Sequence, residues 1–273
     1  MRTVGIMGYG NMGQAIAERI KTKYQVYIFE KDEKKNLNLS GINFTSNIED
    51  LLRKAANIIL AVKPQDFEIV LNNIKNLVKG KLIISIAAGI STSYIEKQLG
   101  RVRVIRVMPN LAVKVGKGMI CLCKGRYSFV GDLGFVREIF SYLGKTMTLE
   151  EDLMDEVTVI SGSGPGYFYD LIKNKKPAEW EDYSKNIFIP QLSSVAKEIG
   201  FTEQEAEILV KETVEGSIAL LKETGLSPEI LCSQVCSKGG TTEAGLAVLR
   251  ITNSLEEAVK AALKRAKDLA KKE

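Results

Sequence analysis

The feature that most narrows what this chain can become is its beginning. An apolar run at residues 3–7 breaks into Gly8-Tyr9-Gly10-Asn11-Met12-Gly13, and apolar residues then return at helical spacing as Ala15, Ile16 and Ile20. An apolar run, a G-x-G-x-x-G and a helical pattern in direct succession are the strand, turn and helix start that receive a dinucleotide pyrophosphate. The three glycines serve different ends. Gly8 permits the tight turn, Gly10 lets backbone approach the phosphates, and Gly13 lets the helix lie close against the strand. Free backbone N–H groups at the helix start then face the anion. A second apolar run, residues 25–29, ends in Glu30, about where the carboxylate that bonds a ribose hydroxyl belongs.

Composition sets the outer limits. A chain of 273 residues, 45% of them hydrophobic, suffices for one large or two moderate domains with real cores. Its formal charge of +5 comes from 38 basic residues scattered among 33 acidic ones. The one basic concentration, residues 264–273, reads as a solvated helix end, so no nucleic-acid partner is expected. The first apolar run starts too early to leave room for a targeting peptide, and no run approaches a membrane span. The expectation is therefore a cytoplasmic protein with no membrane partner. Cys121, Cys123, Cys232 and Cys236 lack a convincing metal spacing; buried free thiols are the reading preferred over a metal site. The chain has no histidine, which excludes every mechanism built on an imidazole base.

Along the first half, strand-like and helix-like stretches alternate. Strands are expected at residues 42–45, 58–62, 82–87, 102–107, 119–123 and 146–149, and helices at 47–56, from Pro64 to a stop at Gly80, at 92–99 and at 129–142. Continuous rather than alternating apolar runs, such as 58–62, mark buried parallel strands. The expected fold is α/β: a Rossmann-type doubly wound parallel sheet over residues 1–150, followed by an all-helical domain over 151–273. Ligands of such sheets lie beyond the carboxyl ends of the strands. Val62-Lys63-Pro64, Ala88-Gly89-Ile90 and Met108-Pro109-Asn110 therefore belong on the same rim as Gly8–Gly13, although Gly, Pro and Asn also serve as plain turn formers. Two glycine-rich breaks interrupt the helical half, Ser161-Gly-Ser-Gly-Pro-Gly166 and Cys236-Ser237-Lys238-Gly239-Gly240-Thr241-Thr242.

With these residues in view, the chain resembles the pyrroline-5-carboxylate reductase family over nearly its whole length. The resemblance is carried, in order, by G-x-G-x-M-G at 8–13, A-V-K-P at 61–64, S-I-A-A-G at 85–89, M-P-N at 108–110, S-G-S-G-P at 161–165 and G-G-T-T at 239–242. It implies reduction of 1-pyrroline-5-carboxylate to L-proline with NADPH or NADH. It also implies a homodimer with interlocked helical domains, often assembled further, whose active site lies between the nucleotide rim of one subunit and the helical domain of its partner. Gly8–Gly13, Val62, Lys63, Pro64, Ala88 and Asn110 would surround the cofactor, and Ser237, Gly239, Gly240, Thr241 and Thr242 would hold the cyclic imine carboxylate. The residues agree on this last point, because two glycines and two threonines opening a helix offer several donors to a carboxylate; a plain helix start capped by Thr241 is the alternative. Two departures stand out: Lys238 where the family usually has proline, and a charged segment with Pro177, residues 173–187, that interrupts the helix expected after S-G-S-G-P.

Thr242 is the candidate catalytic side chain, a hydroxyl placed to hydrogen-bond the imine nitrogen. Glu30 favours a ribose hydroxyl and repels a 2′-phosphate, whereas Lys31, Lys34 and Lys35 attract one, so the cofactor choice turns on their balance. A related imine or hydroxyacid reductase and a non-catalytic nucleotide-binding regulator are the competing readings.

Overall fold

The computed structural model describes residues 2–35 and 39–270. The last three residues of the basic tail lie outside the described residues. The strands are β1 (Thr3–Met7), β2 (Gln25–Phe29), β3 (Ile42–Phe44), β4 (Asn57–Leu60), β5 (Leu82–Ser85), β6 (Arg103–Pro109), β7 (Gly118–Lys124) and β8 (Gly144–Thr148). Between them run α1 (Asn11–Ile20), α2 (Ile48–Lys54), α3 (Phe67–Ile74), α4 (Thr92–Leu99) and α5 (Val130–Ser141). One eight-stranded sheet results, in the order β3-β2-β1-β4-β5-β6-β7-β8. From β3 to β6 every pairing is parallel, with Val4 opposite both Val26 and Asn57. Chain direction across the sheet reverses between β1 and β4, the switch point at which a crevice opens beyond the strand ends. Ile6, Ile28, Ile58, Ile59, Ile83 and Ile84 are wholly buried, as continuous apolar runs in a sheet covered on both faces must be.

By packing, the chain forms two compact units, one of residues up to Val107 with Leu122–Leu143, the other of Met108–Cys121 with Gly144–Ala270. From residue 154 onward the second unit is helical: α6 (Met154–Val157), a π turn (Thr158–Gly162), α7 (Gly164–Ile172), α8 (Trp180–Tyr183), a second π turn (Ser184–Phe188), α9 (Ile189–Glu198), α10 (Glu203–Thr224), α11 (Pro228–Val235), α12 (Thr241–Thr252) and α13 (Leu255–Leu269). The Thr202 and Glu205 side chains cap α10 reciprocally, which places its start where the sequence shows a capping box. The interruption expected after S-G-S-G-P is present. Helix α7 ends at Ile172, and Pro177 opens a short 3-10 turn before Trp180 restarts the helix.

Two sequence expectations, and one of the alternatives, need correction. The helix from Pro64 does not reach Gly80: Pro64 opens a 3-10 turn, α3 ends at Ile74, and only Val78 of the remaining apolar residues is buried while Leu77 stays 39% exposed. Asn72, Asn73 and Asn76 explain the early stop, since asparagine competes with the helix for backbone hydrogen bonds. Thr241 does not cap α12; Gly240 occupies that position, with no side-chain cap bond. Cys121, Cys123 and Cys232 are buried free thiols, but Cys236, at the C-cap of α11, is only half-buried.

The tightest packing in the first unit is where α1 leaves β1. A Cβ on Gly13 would stand 2.1 Å from the Gly8 carbonyl oxygen, and one on Gly8, at φ +97°, would meet the Ala61 carbonyl oxygen at 2.7 Å. Backbone lies on both sides, so neither contact relaxes by a side-chain swing. Gly10 differs, because nothing lies within 4 Å of its missing Cβ. Gly13→Ala is expected to destabilise the protein by about 1–3 kcal/mol through overpacking. Gly10→Ala should cost less than about 1 kcal/mol, the preference for glycine over alanine at an N-cap. Urea unfolding midpoints of the two variants test this; equal midpoints would mean that α1 can back away from β1.

Candidate active site

The glycine turn leaves a helix start open to an anion. Gly10 is the N-cap of α1, no side chain caps the helix, and no acidic residue sits in its first turn, so the first N–H groups and the positive end of the helix dipole are open. The space beside Gly10 leaves those N–H groups approachable. Tyr9 is held by burial and by an edge-on contact with Phe44 at 5.2 Å. Asn11 is exposed and Met12 half-buried. A cleft of about 500 Å³ beyond β1, β2 and β4 is lined by Gly8, Gly10, Glu30, Lys31, Val62 and Lys63, so the structure gathers these expected residues at one place. Pro64 and Ala88 follow β4 and β5 but are not among its lining residues.

Glu30 governs the electrostatics of that cleft. Its Oε2 accepts the Tyr9 N–H at 2.7 Å and its Oε1 the Asp32 N–H at 3.0 Å, while the Lys35 ammonium lies 4.0 Å away. Burial pushes the carboxyl upward, but the N–H donors of Asp32, Tyr9 and Lys31 and the charge of Lys35 outweigh it and hold Glu30 below the usual carboxylate range. It is ionised at neutral pH and pinned to the turn it serves. Lys31 pairs with Asp66 at 3.5 Å, a partner that sequence reasoning missed. Also missed were Ile48, Ile69 and Val70 on the cleft wall. Ile69 carried a legible mark: it lies off the buried stripe of α3 and is 64% exposed.

The glycine-threonine loop lies in the second unit. Ser237, Lys238 and Gly239 are exposed. The Arg265 Nε donates to the Gly239 carbonyl at 2.8 Å, and the Gly239 N–H donates to Glu243 at 2.6 Å. Gly240 folds back so closely that a Cβ would lie 2.3 Å from the Ser237 hydroxyl. The two threonines that open α12 share one partner: Thr242 Oγ1 donates to Ser163 Oγ at 3.0 Å, and Thr241 Oγ1 lies 3.0 Å from the same oxygen. Thr242 is 5% exposed and Ser163 1%. Sequence reasoning singled out the S-G-S-G-P run as a break and as a family motif, without assigning Ser163 a role.

Asn110, expected at the cofactor, is 1% exposed. Its Oδ1 accepts the Met119 N–H at 3.2 Å and its Nδ2 donates to Ser161 at 3.4 Å, so its side chain is tied to the start of β7 and to the π turn. The cysteines offer no nucleophile. Burial pushes the Cys232 thiol up to about 11 and raises Cys236 as well, so both are protonated at neutral pH.

Comparisons with known proteins agree with this layout. Residues 186–272 match the family described as pyrroline-5-carboxylate reductase dimerisation, and residues 3–89 the family described as NADP oxidoreductase, coenzyme F420-dependent. The pyrroline-5-carboxylate reductase of Aquifex aeolicus is 34% identical over 90% of this chain and 88% of its own length. That of Methanosarcina acetivorans is 33% identical over 98% of both. Among solved structures, the Plasmodium falciparum pyrroline carboxylate reductase with NADP bound superposes with a TM-score of 0.64 at 29% identity, covering 99% of this chain and 98% of that one. The Coxiella burnetii pyrroline-5-carboxylate reductase does so at 0.67 and 27%, covering 99% of each. Similar to these relatives from end to end, and ordered as they are into a parallel sheet and a helical bundle, the chain belongs to the pyrroline-5-carboxylate reductase family.

Proposed function

We propose that this chain reduces 1-pyrroline-5-carboxylate to L-proline with NAD(P)H, the last step of proline synthesis, and that the residues gathered above carry it. The observation that carries the assignment of residues is the pairing, in one chain, of an uncapped helix start over a glycine turn with a second donor-rich loop ending in a buried hydroxyl.

Gly8, Tyr9, Gly10, Asn11, Met12 and Gly13 hold the pyrophosphate through backbone N–H groups, and Glu30 accepts from a ribose hydroxyl. Lys31, Val62, Lys63, Pro64, Ala88 and Asn110 complete the nucleotide site. The bound dinucleotide supplies a hydride to the C=N carbon. The backbone of Ser237, Gly239 and Gly240 and the hydroxyls of Thr241 and Thr242 fix the substrate carboxylate and orient its nitrogen. An imine nitrogen is basic enough to arrive protonated, so the chain without histidine needs no strong acid there. Hydride addition to the iminium leaves a neutral amine, which takes its last proton from water. Residues 1–150 then act as the nucleotide domain and 151–273 as the substrate and dimerisation domain. The protein works in the cytoplasm as a homodimer or an assembly of dimers, apart from nucleic acid and membrane. The dimerisation-family match and the exposed Ile187, Ile230 and Ile251 on the helical unit support self-association.

Four outcomes are expected. NAD(P)H oxidation should require pyrroline-5-carboxylate, with the six-membered homologue a poorer substrate and no turnover without an imine. NADH should serve at least as well as NADPH by kcat/KM, because Glu30 is ionised at the ribose end of the cleft and Lys31 and Lys35 both lie near carboxylates. A preference for NADPH of about a hundredfold, roughly 2.7 kcal/mol, would show that the lysines decide. Thr242→Ala should lower kcat/KM for the imine roughly ten- to a hundredfold, as loss of a hydrogen bond to a charged group does, with folding and NAD(P)H affinity unchanged. Thr242→Ser should recover most of it; wild-type turnover by the alanine variant would leave the loop as a carboxylate cradle only. In sedimentation velocity the protein should run as a dimer or larger at micromolar concentration, and a folded monomer there would refute the assembly.

A further inference from the structure

We infer that Ser163 is a positioning residue for the reaction, which sets the Thr242 hydroxyl by holding it while Gly166 holds the Thr242 methyl; this rests on the proposed role of Thr242. Ser163 follows the π turn Thr158–Gly162, and its N–H closes that turn on the Thr158 carbonyl at 2.9 Å. Such single π turns inside helices recur at functional sites because they re-aim the residues that follow. Here the residue that follows is Ser163, whose Oγ accepts from Thr242 Oγ1 at 3.0 Å and lies 3.0 Å from Thr241 Oγ1. Three residues further along α7, the absence of a side chain at Gly166 makes room for the other branch of Thr242. A Cβ there would stand 2.6 Å from Thr242 Cγ2. The hydrogen bond on one branch and the space left at Gly166 for the other match a single χ1 of this β-branched side chain, set before substrate arrives.

The chemistry of a hydroxyl explains why serine suits this place. One proton and two lone pairs let Ser163 accept from Thr242 and still bond Thr241, so the first two residues of α12 are tied to one oxygen. With the Thr242 proton directed at Ser163, the Thr242 lone pairs are left to accept from the N–H of a protonated imine. The same tie fixes the start of α12, whose N–H groups belong to the carboxylate cradle.

A double-mutant cycle in the full-length protein tests this. Ser163→Ala should lower kcat/KM for pyrroline-5-carboxylate roughly tenfold, mostly in kcat, without moving the KM for NAD(P)H. In a Thr242→Ala background the same substitution should change kcat/KM by less than about twofold, because its route to the reaction is already gone. Losses that multiply instead would show that Ser163 acts independently and would overturn the inference while leaving Thr242 in its role. Thr242→Ala at the wild-type rate would overturn both. If Ser163→Ala does not fold, as judged by circular dichroism, Ser163→Cys keeps the volume with a weaker hydrogen-bonding group and goes through the same cycle. The expectation is again a loss that vanishes beside Thr242→Ala, and a loss that persists there would refute the coupling.

Discussion

Everything in the nucleotide half depends on how closely α1 can lie against the end of β1. A helix offers its first N–H groups to an anion only if its axis is brought to the strand end, and the distance is set here by two glycines facing backbone. Any side chain at Gly13 would push against the Gly8 carbonyl, and Gly8 itself is closed in by the Ala61 carbonyl after β4. The same contact thus binds the helix to two strands at the switch point, where the crevice must be. Packing and binding are one constraint at this place, and Gly10 alone, facing open space, is free to answer to the ligand.

Charge then completes what packing begins. Glu30 sits at the end of β2 as a largely buried carboxylate, which would be costly if nothing compensated it. Its compensation comes largely from backbone, from the N–H groups of Asp32 and of Tyr9 in the glycine turn, so the acid that would meet a ribose also fixes the loop that would meet the phosphates. A carboxylate bound to N–H donors keeps further lone pairs for a ribose hydroxyl. Lys31 lies 3.5 Å from Asp66 and Lys35 4.0 Å from Glu30, solvent-facing pairs of the kind that contribute little.

Much of this was legible in the sequence, for a physical reason that also marks where legibility stops. Continuous apolar runs and punctuating glycines are local properties, so β1, β4, β5 and the N-cap glycine of α1 could be read from neighbours in the chain. So could the break after Ile172, because Pro177 and a charge run forbid a helix wherever they fall. Helix α3 misled because its apolar spacing continues past Ile74 while three asparagines end it. The partners of Thr242 were invisible for a different reason. Ser163 stands 79 positions away, and a hydroxyl that finds another hydroxyl across the fold leaves no periodicity and no spacing to read.

That network also explains how a chain without histidine carries out a reduction. The buried phenols of α7 are no substitute acids: burial lifts both Tyr167 and Tyr169 far above their ordinary values. The buried thiols are raised as well, and Lys238 and Arg265 stand at the exposed part of the loop rather than beside Thr242. The Thr242 hydroxyl is bonded to the neutral Ser163 hydroxyl, and a neutral hydroxyl cannot drive protonation of a weakly basic carbonyl. It can hold an iminium that brings its own proton, because hydrogen bonding to a cation asks only for an oriented lone pair. On the proposed role of Thr242, the second unit therefore suits a substrate already charged at nitrogen, and its hydroxyls would contribute orientation rather than acidity.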